Sequence, residues 1–263
     1  VYSPALTDFV IATRQASHMF VTGPDVVRAV TGEQISAEDL GGAKIHGSVS
    51  GVVHYVADDE EDALGQVRTF LAYLPSSAEV SAPLYAYDDA DAQADAEAAR
   101  SVGEIVPAST RQAYDVVEVV SAVVDHGELV QVQEEFATNV VVGFACFEGR
   151  PVGIVANQPL VDAGTLDVDA SEKLARFVRF CDAFGLPVVT FVDVPGYRPG
   201  AEQEHAGIIR RGAKVINAYA TATVPLVTIV LRKAYGGAYI VMGSKAIGAD
   251  LNFCWPGAEI AVL

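Results

Sequence analysis

The segment LRKAYGGAYIVMGSKAIGAD (231–250) is the most informative part of the sequence, because two adjacent glycines in it join a predicted strand to a predicted helix. The apolar run VPLVTIVLR (224–232) predicts a buried strand, and the sequence after Gly236 and Gly237 predicts a helix. Glycine lets the backbone approach a ligand closely. The N–H groups at a helix start have no intrahelical partner and can face a developing negative oxygen. The segment therefore indicates either a main-chain oxyanion hole or simply tight strand–helix packing.

The chain from about residue 113 alternates strand-like and helix-like patterns around this turn. Such alternation predicts an α/β fold with an open, largely parallel sheet. Ser171 is the expected N-cap of the central helix. The predicted elements are a helix at 115–124, a hairpin at 140–158, a helix at 171–184, a strand at 187–194, a helix at 205–222 and a final strand at 258–263.

The first 75 residues carry a similar but less regular pattern. We expect a buried strand at 17–21, a short helix starting at Asp25, and a longer helix from Asp58 to about Tyr73, which Pro75 ends. Acidic residues open that longer helix, as the helix dipole favours. Its expected apolar face consists of Ala63, Leu64, Val67, Phe70, Leu71 and Leu74.

Residues 76–112 differ in character, because they are rich in alanine and aspartate and have prolines at both ends. This composition favours an exposed linker. The alternative is an acidic strip that docks a partner.

Charge and composition exclude several classes of protein. Asp and Glu total 34 against 17 Lys and Arg, so the formal net charge is −17. Nucleic-acid binding and a polybasic membrane anchor both need a positive surface, so neither is expected. Hydrophobic residues make up 51% of the chain, which indicates a core-forming globular protein, and no run is long enough to cross a membrane. The three cysteines form no CxxC pair, which favours a reducing, cytoplasmic setting.

The loop after the 187–194 strand is a second candidate region, because ligands in open α/β sheets bind beyond the carboxyl ends of strands. Glu202, Glu204 and His205 lie there, but their spacing is unlike HExxH, so no metal site is expected. Arg210 and Arg211 have two interpretations, phosphate binding or ion pairing with those acids, and the ion pair is favoured.

A weak internal repeat is also present. The segment 1–4 is similar to 238–241, and each copy is followed by an aromatic residue and a Gly/Pro turn, at Phe20 and at Trp255. The repeat indicates two related modules, with chance similarity as the alternative.

Several long segments together resemble one family, the carboxyltransferase (β) subunit of biotin-dependent acyl-CoA carboxylases. The type most similar is the propionyl-CoA/acetyl-CoA carboxylase β subunit of actinobacterial multi-subunit enzymes. The segments are YSPALTDF, SHMFVTGPDVV, GRPVGIVANQP, FVDVPGYRPGAEQEHAGIIRRGAKVINAYA and RKAYGGAYIVMGSK.

The resemblance implies a fold of tandem crotonase-like ββα-superhelix domains, the first truncated. Residues 1–75 would belong to the N-terminal domain, 76–112 to the acidic linker, and 113–263 to the C-terminal domain. It also implies a hexamer of the full-length subunit, with each active site between the N-domain of one subunit and the C-domain of another. The family has a Gly-Gly-Ala turn immediately before the position of Val1 and continues past residue 263. The chain is therefore expected to be a central fragment, inactive alone.

The same resemblance implies the chemistry and its residues. Gly237 and Ala238, supported by Gly236, would form an oxyanion hole for the enolate of an acyl-CoA or for the biotin ureido oxygen. Tyr235, Tyr239 and Ile240 would be substrate-binding positions, with an apolar Ile240 resembling relatives that accept acetyl-CoA. Biotin would arrive on a partner carrier, ATP would be used only by a partner biotin carboxylase, and no metal is implied.

Two other functions remain open at this point. One is the α subunit of a biotin-dependent carboxyacyl-CoA decarboxylase, which uses the same fold. The other is a catalytically silent scaffold that binds CoA or the carrier domain.

Overall fold

A computed structural model describes residues 2–262, which separate into two compact units. The first unit comprises the chain through Ala72 together with Val132–Ala137. The second comprises Tyr73–Gln131 and the chain from Thr138 onward. Within the described range, no helix is both long enough and apolar enough to span a bilayer.

The first unit contains a parallel pair of strands and four helices within its described residues. Strand β1 pairs with β2 in a register that places Ile11 opposite Tyr55. Val10, Ala12, Ala43 and Val53 form its buried core. The elements are β1 (Ile11–Thr13), α1 (Pro24–Thr31), α2 (Ala37–Gly41), α3 (Ala43–Ser48), β2 (Tyr55–Ala57) and α4 (Glu60–Ala72), with a 3-10 turn at Pro4–Leu6.

Helices α1 and α4 confirm two sequence predictions, but the strand expected at 17–21 is wrong. In that segment His18 makes only an isolated bridge to Gly42, and the Met19 N–H donates to the Gly41 carbonyl oxygen. The segment contacts the backbone at Gly41 and Gly42 without forming a ladder; Met19 and Phe20 are partly buried there, whereas Val21 is 72% exposed. On α4, the predicted apolar face buries Phe70 and leaves Leu64 and Leu71 exposed.

The acidic segment is more ordered than a linker. Helix α5 (Asp89–Ala99) begins with a capping box between Asp88 and Asp91. A second short helix, α6 (Val102–Ile105), follows it. Val102 and Val106 are buried in a hydrophobic cluster of the second unit. The expectation of an exposed linker is therefore wrong for Val102 and Val106, since apolar burial outweighs the polar composition of their neighbours.

The second unit is built on an open sheet, as the alternating pattern predicted. Within residues 2–262 this sheet has seven strands in the order β3-β4-β5-β6-β7-β8, and β9 also pairs with β7. Strands β4 and β5 are antiparallel, whereas β5 to β9 pair in parallel. The strands are β3 (Val130–Val132), β4 (Val140–Phe147), β5 (Arg150–Asn157), β6 (Val188–Val194), β7 (Leu226–Tyr235), β8 (Leu251–Cys254) and β9 (Glu259–Ala261).

The hairpin between β4 and β5 turns at Glu148 and Gly149, whose φ angles are 49° and 72°. Two positive φ angles are typical of the turn that matches strand twist. The Asp125 carboxylate accepts hydrogen bonds from the Glu148 and Gly149 amides at 2.8 and 2.7 Å. The predicted hairpin is thus confirmed, and a distant side chain fixes its turn.

The helices of the second unit cover the sheet and position the site. Strand β6 is buried at every residue, as expected when both faces of a sheet are covered. Besides α5 and α6, the helices are α7 (Val116–Ser121), α8 (Val168–Ala183), α9 (Ala201–His205), α10 (Ile208–Thr221) and α11 (Gly236–Val241), with 3-10 turns at Asp125–Gly127, Asp162–Gly164 and Lys245–Ile247.

Two helix boundaries differ from the sequence prediction. Helix α8 is capped by Asp167, which accepts from the Ala170 N–H, and Ser171 lies inside the first turn. The Ser171 hydroxyl instead donates to the Asp167 carbonyl oxygen. The helix expected at 205–222 is α10, which begins only at Ile208 because Gly207 has a φ of 85°, and the preceding residues 201–205 form the separate helix α9.

The two copies of the internal repeat differ in secondary structure. The first copy leads into the 3-10 turn at Pro4–Leu6, whereas residues 238–241 belong to α11. Val1, the first residue of the repeat, lies outside the described residues. The strand expected at the chain end is confirmed as β9, while Leu263 is likewise outside the described range.

Candidate active site

The predicted strand–glycine–helix junction is present in the second unit. Strand β7 ends at Tyr235, and α11 begins at Gly236. Gly236 has a φ of 57°, and a Cβ added there would lie 3.1 Å from the Val262 carbonyl oxygen. Because side chains rarely adopt this conformation, glycine is needed at 236 to turn the backbone from strand into helix.

Gly237 has a different environment from Gly236. It is exposed, and a Cβ added to it would meet no atom within 4 Å. Tyr235, the N-cap residue, makes no side-chain capping bond. Among residues 2–262, no turn or capping hydrogen bond uses the amides of Gly237 or Ala238. These amides lie in the first turn of a helix, where intrahelical acceptors are lacking, so they can donate to an external oxygen.

The three expected substrate-binding side chains surround this turn in different ways. Ile240 is 45% exposed, so an apolar group can pack on it. Tyr239 is half-buried. The Tyr235 hydroxyl donates to the Glu259 carboxylate on β9, and this hydrogen bond, followed by burial, raises the pKa of Tyr235. The Tyr235 hydroxyl is therefore already engaged, which leaves its ring as the surface available to a ligand.

A buried ion cluster lies directly before the turn, and the sequence interpretation did not identify it. Asp193, at the end of β6, is 1% exposed, and Arg232 and Lys233 on β7 are 3% and 7% exposed. Arg232 Nε lies 3.0 Å from Asp193 Oδ2, and Lys233 Nζ lies 3.7 Å from Asp193 Oδ1. One signal for it was in the sequence: an aspartate inside the otherwise apolar strand VVTFVDV. Charged residues are rarely buried without a partner.

Arg232 connects this cluster to the segment before α7. Its Nη1 donates to the carbonyl oxygens of Ser109 and Gln112 at 2.7 and 2.8 Å. Its guanidinium also lies 4.9 Å from the centre of the Tyr114 ring, within cation–π range. Burial, and then the nearby Asp193 charge, raise the pKa of Tyr114. The guanidinium is therefore held on several sides in the interior.

The second candidate region does not form a metal site. Helix α9 contains all three candidate residues in exposed positions: Glu202, Glu204 and His205. In the part of the chain that the structure describes, no group of three or more His, Cys, Asp and Glu side chains is suited to hold a metal ion.

The two arginines of this region have different roles from those expected. Arg211 forms an ion pair of 3.0 Å with Glu172 on α8, and Lys214 pairs with the same carboxylate at 2.7 Å. The favoured ion-pair interpretation is confirmed for Arg211, but its expected partners on 202–204 were wrong. Helix α10 packs beside α8, so Arg211 reaches a carboxylate there. Arg210 is exposed.

The fold and this junction define the class of protein. A largely parallel sheet with an open glycine helix start beyond a strand end is the arrangement of the crotonase-like α/β fold, as the resemblance implied. A solved transcarboxylase 12S hexamer, with methylmalonyl-coenzyme A and methylmalonic acid bound, matches this chain with a TM-score of 0.94 and 47% identity. That match covers 100% of this chain and 50% of the other.

The chain belongs to the carboxyl transferase domain family, whose model matches residues 1–263. It is 55% identical to the carboxyltransferase subunit of propionyl-CoA carboxylase from Haloferax mediterranei. It is also 51% identical to the methylmalonyl-CoA decarboxylase subunit alpha of Veillonella parvula. Both matches cover the whole chain, which spans about half the length of these curated relatives, 50% and 51% respectively.

Proposed function

We propose that this chain supplies the carboxyltransferase site of a biotin-dependent acyl-CoA carboxylase. The overall reaction exchanges the carboxyl group of carboxybiotin for a proton from the α-carbon of acetyl-CoA or propionyl-CoA, giving biotin and malonyl-CoA or methylmalonyl-CoA. The observation that carries the proposal is the helix start at the exposed Gly237, followed by the buried Ala238, in a chain that the family model matches throughout.

The chemistry matches what this helix start offers. Removing the α-proton of an acyl-CoA places negative charge on the thioester oxygen, so the protein must stabilise an oxyanion and needs no side-chain nucleophile. The amides of Gly237 and Ala238 are free of other turn or capping bonds among the described residues, and can donate to such an oxygen. Removing one donor of this kind costs about 3–4 kcal/mol of transition-state stabilisation.

Biotin is the cofactor that the family implies, and Gly237 is exposed, so a ligand oxygen has access to its amide. When bound, biotin supplies the carboxyl group, and its ureido oxygen is an acceptor that main-chain amides can bind. The residues of this chain that would hold that oxygen or the thioester oxygen are Gly237 and Ala238. Gly236 fixes the turn that presents them.

The proposal includes partners and an assembly. Biotin would be carried by a partner carrier protein and carboxylated by a partner biotin carboxylase, which alone would use ATP. The solved transcarboxylase 12S relative is a hexamer, which supports a hexamer for the complete protein. The three cysteines are unpaired in the structure, in agreement with a reducing cytoplasmic setting.

The acyl preference is assigned to Ile240. It is exposed two residues after the proposed oxyanion hole, where an apolar side chain can pack on a short acyl group. Pockets of this kind discriminate one methylene by roughly 10–200-fold. We expect Ile240→Asp to change the ratio of acetyl-CoA to propionyl-CoA carboxylation in the complete enzyme. If the ratio of kcat/KM for acetyl-CoA to kcat/KM for propionyl-CoA is unchanged in this variant, Ile240 is not part of the acyl pocket.

A decarboxylase is the second candidate, because the Veillonella parvula relative has that activity in its name and is 51% identical. The two candidates differ in direction. A carboxylase forms malonyl-CoA or methylmalonyl-CoA with its biotin carboxylase partner and ATP. A decarboxylase would instead consume methylmalonyl-CoA and carboxylate its biotin partner in the absence of ATP.

Gly237→Pro tests the proposed site, since proline has no N–H. We expect carboxyl transfer by the complete enzyme to be lost, with acyl-CoA binding by calorimetry retained. Asp89→Pro is the matched control, because it removes an N–H from the exposed first residue of α5. Wild-type turnover by Gly237→Pro would refute the assignment. Circular dichroism of both variants separates this result from a failure to fold.

A further inference from the structure

We propose that Asp193 is a positioning residue of this site, because its carboxylate holds the irregular end of β7 from which the Gly236–Ala238 turn emerges. The inference rests on the proposed function and extends it to a residue buried behind the turn. Its support comes from strand register, hydrogen bonds and burial within the second unit.

The pairing of β6 with β7 is irregular at Asp193. On β6, Val192 and Val194 are two residues apart, but their partners on β7, Val230 and Ala234, are four apart. Strand β7 therefore contains two more residues than β6 across this interval. Extra residues in a bulge leave backbone groups without ladder partners and redirect the strand.

The Asp193 carboxylate supplies an acceptor for one backbone amide of the bulge. Its Oδ1 accepts from the Lys233 N–H at 3.1 Å, and its Oδ2 accepts from Arg232 Nε at 3.0 Å. Thus one side chain of β6 fixes both a backbone amide and a side chain of the bulged strand. The carboxylate is almost fully buried, so these bonds are shielded from water.

Asp193 is itself held in place by its surroundings. Its N–H donates to Asn157 Oδ1 on β5 at 3.2 Å, and Asn157 Nδ2 donates to the Gly164 carbonyl oxygen at 3.1 Å. A Cβ added at Gly164 would lie 2.8 Å from the Asp193 carbonyl oxygen, so the backbones approach closely there. The carboxylate therefore acts from a rigid position.

The regular pairing resumes only just before the site. After the bulge, Ala234 pairs with Val194 and with Ile260, and Tyr235 is the last residue of β7. Two residues separate Tyr235 from Ala238, so the bulge sets the position from which both amides are presented. Oxyanion donors act within narrow geometric limits, and a displacement of about 1 Å can cost roughly 100-fold in rate.

Asp193→Asn in the complete enzyme tests this role. The amide keeps the size and one acceptor but loses the charge and one acceptor, so the bulge shifts. We expect kcat for acyl-CoA carboxylation to fall about 10- to 100-fold, with KM for the acyl-CoA within about threefold. Asp193→Ala removes both acceptor oxygens, and we expect it to lower kcat further.

Thr190→Val is the matched control on the same strand. Thr190 is also 1% exposed, and its hydroxyl bonds the Tyr219 hydroxyl at 2.8 Å, away from the bulge. We expect it to lower the melting temperature while kcat per folded enzyme stays within twofold of wild type.

The possible outcomes separate the two proposals. Wild-type kcat for Asp193→Asn, a change confined to KM, or an equal loss of kcat in Thr190→Val would each overturn the positioning role. If the wild-type enzyme nevertheless carboxylates acyl-CoA, the proposed function is supported even though the positioning role of Asp193 is not. Absence of carboxylation by the wild-type enzyme would overturn the proposed function, and this inference with it.

Discussion

Two clusters in the second unit contain the same kinds of charged group but lie in opposite environments. In each, one carboxylate is shared by an arginine and a lysine. The first cluster, Asp193 with Arg232 and Lys233, is at most 9% exposed at its side chains. The second joins Glu172 on α8 to Arg211 and Lys214 on α10, with side chains 30–46% exposed.

The difference shows that burial, and not residue type, decides what such a cluster does. An exposed pair is screened by water and salt and contributes about 0.2–1 kcal/mol. A buried charge that loses its partner costs about 3–5 kcal/mol, because nothing replaces the lost hydration. The exposed cluster bridges two helices on the surface, whereas the buried one lies at the strand end that leads to the Gly-Gly-Ala turn.

The largest expected effect is on stability when the buried carboxylate is removed. Asp193→Ala leaves Arg232 and Lys233 buried without their acid, and we expect a loss of about 3–5 kcal/mol. Thermal and urea unfolding of the complete protein measures it. Glu172→Ala is the matched control, with an expected loss of no more than about 1 kcal/mol. Equal losses in the two variants would remove the distinction between the clusters.

We expect a loss of stability of intermediate size when Arg232, the arginine of the buried cluster, is replaced by lysine. Arg232→Lys keeps the charge but loses the forked donors that reach Asp193, Ser109 and Gln112. Each lost hydrogen bond to a buried group costs about 1–3 kcal/mol, and lysine does not reproduce the planar geometry. The same exchange at Arg211 serves as control and should change the melting temperature little. A larger shift at Arg211 than at Arg232 would contradict the comparison.

The smallest expected effect is a dependence on salt. We expect Glu172→Gln to lower stability by less than about 1 kcal/mol at low salt and by almost nothing at about 1 M salt. The destabilisation by Asp193→Asn should persist at high salt, because ions do not reach a buried pair. Unfolding midpoints of both variants, each compared with wild type at two salt concentrations, measure this. If the destabilisation by Asp193→Asn disappeared at high salt, that result would show that water reaches the buried cluster.

Much of the fold was predictable, because it depends on short-range patterns of residues in the sequence. The apolar run of β6, the two-residue hairpin turn at Glu148 and Gly149, and the strand–glycine–helix junction at Gly236 each depend on a few neighbouring residues. The strand expected at 17–21 failed for the opposite reason. It makes only an isolated bridge to Gly42, and whether a segment pairs depends on residues distant in sequence, which periodicity within the segment does not reveal.

Local sequence patterns were enough to establish the α/β class, the family resemblance and the position of the Gly237–Ala238 amides, because glycine conformation and apolar periodicity act locally. The burial of Val102 and the contact between Asp193 and the β7 bulge become visible only in the packed sheet. The partners of Asp193 lie 39 and 40 residues away in sequence, and the register of β6 against β7 brings them into contact. That register depends on the packing of the whole sheet, so no local pattern encodes it.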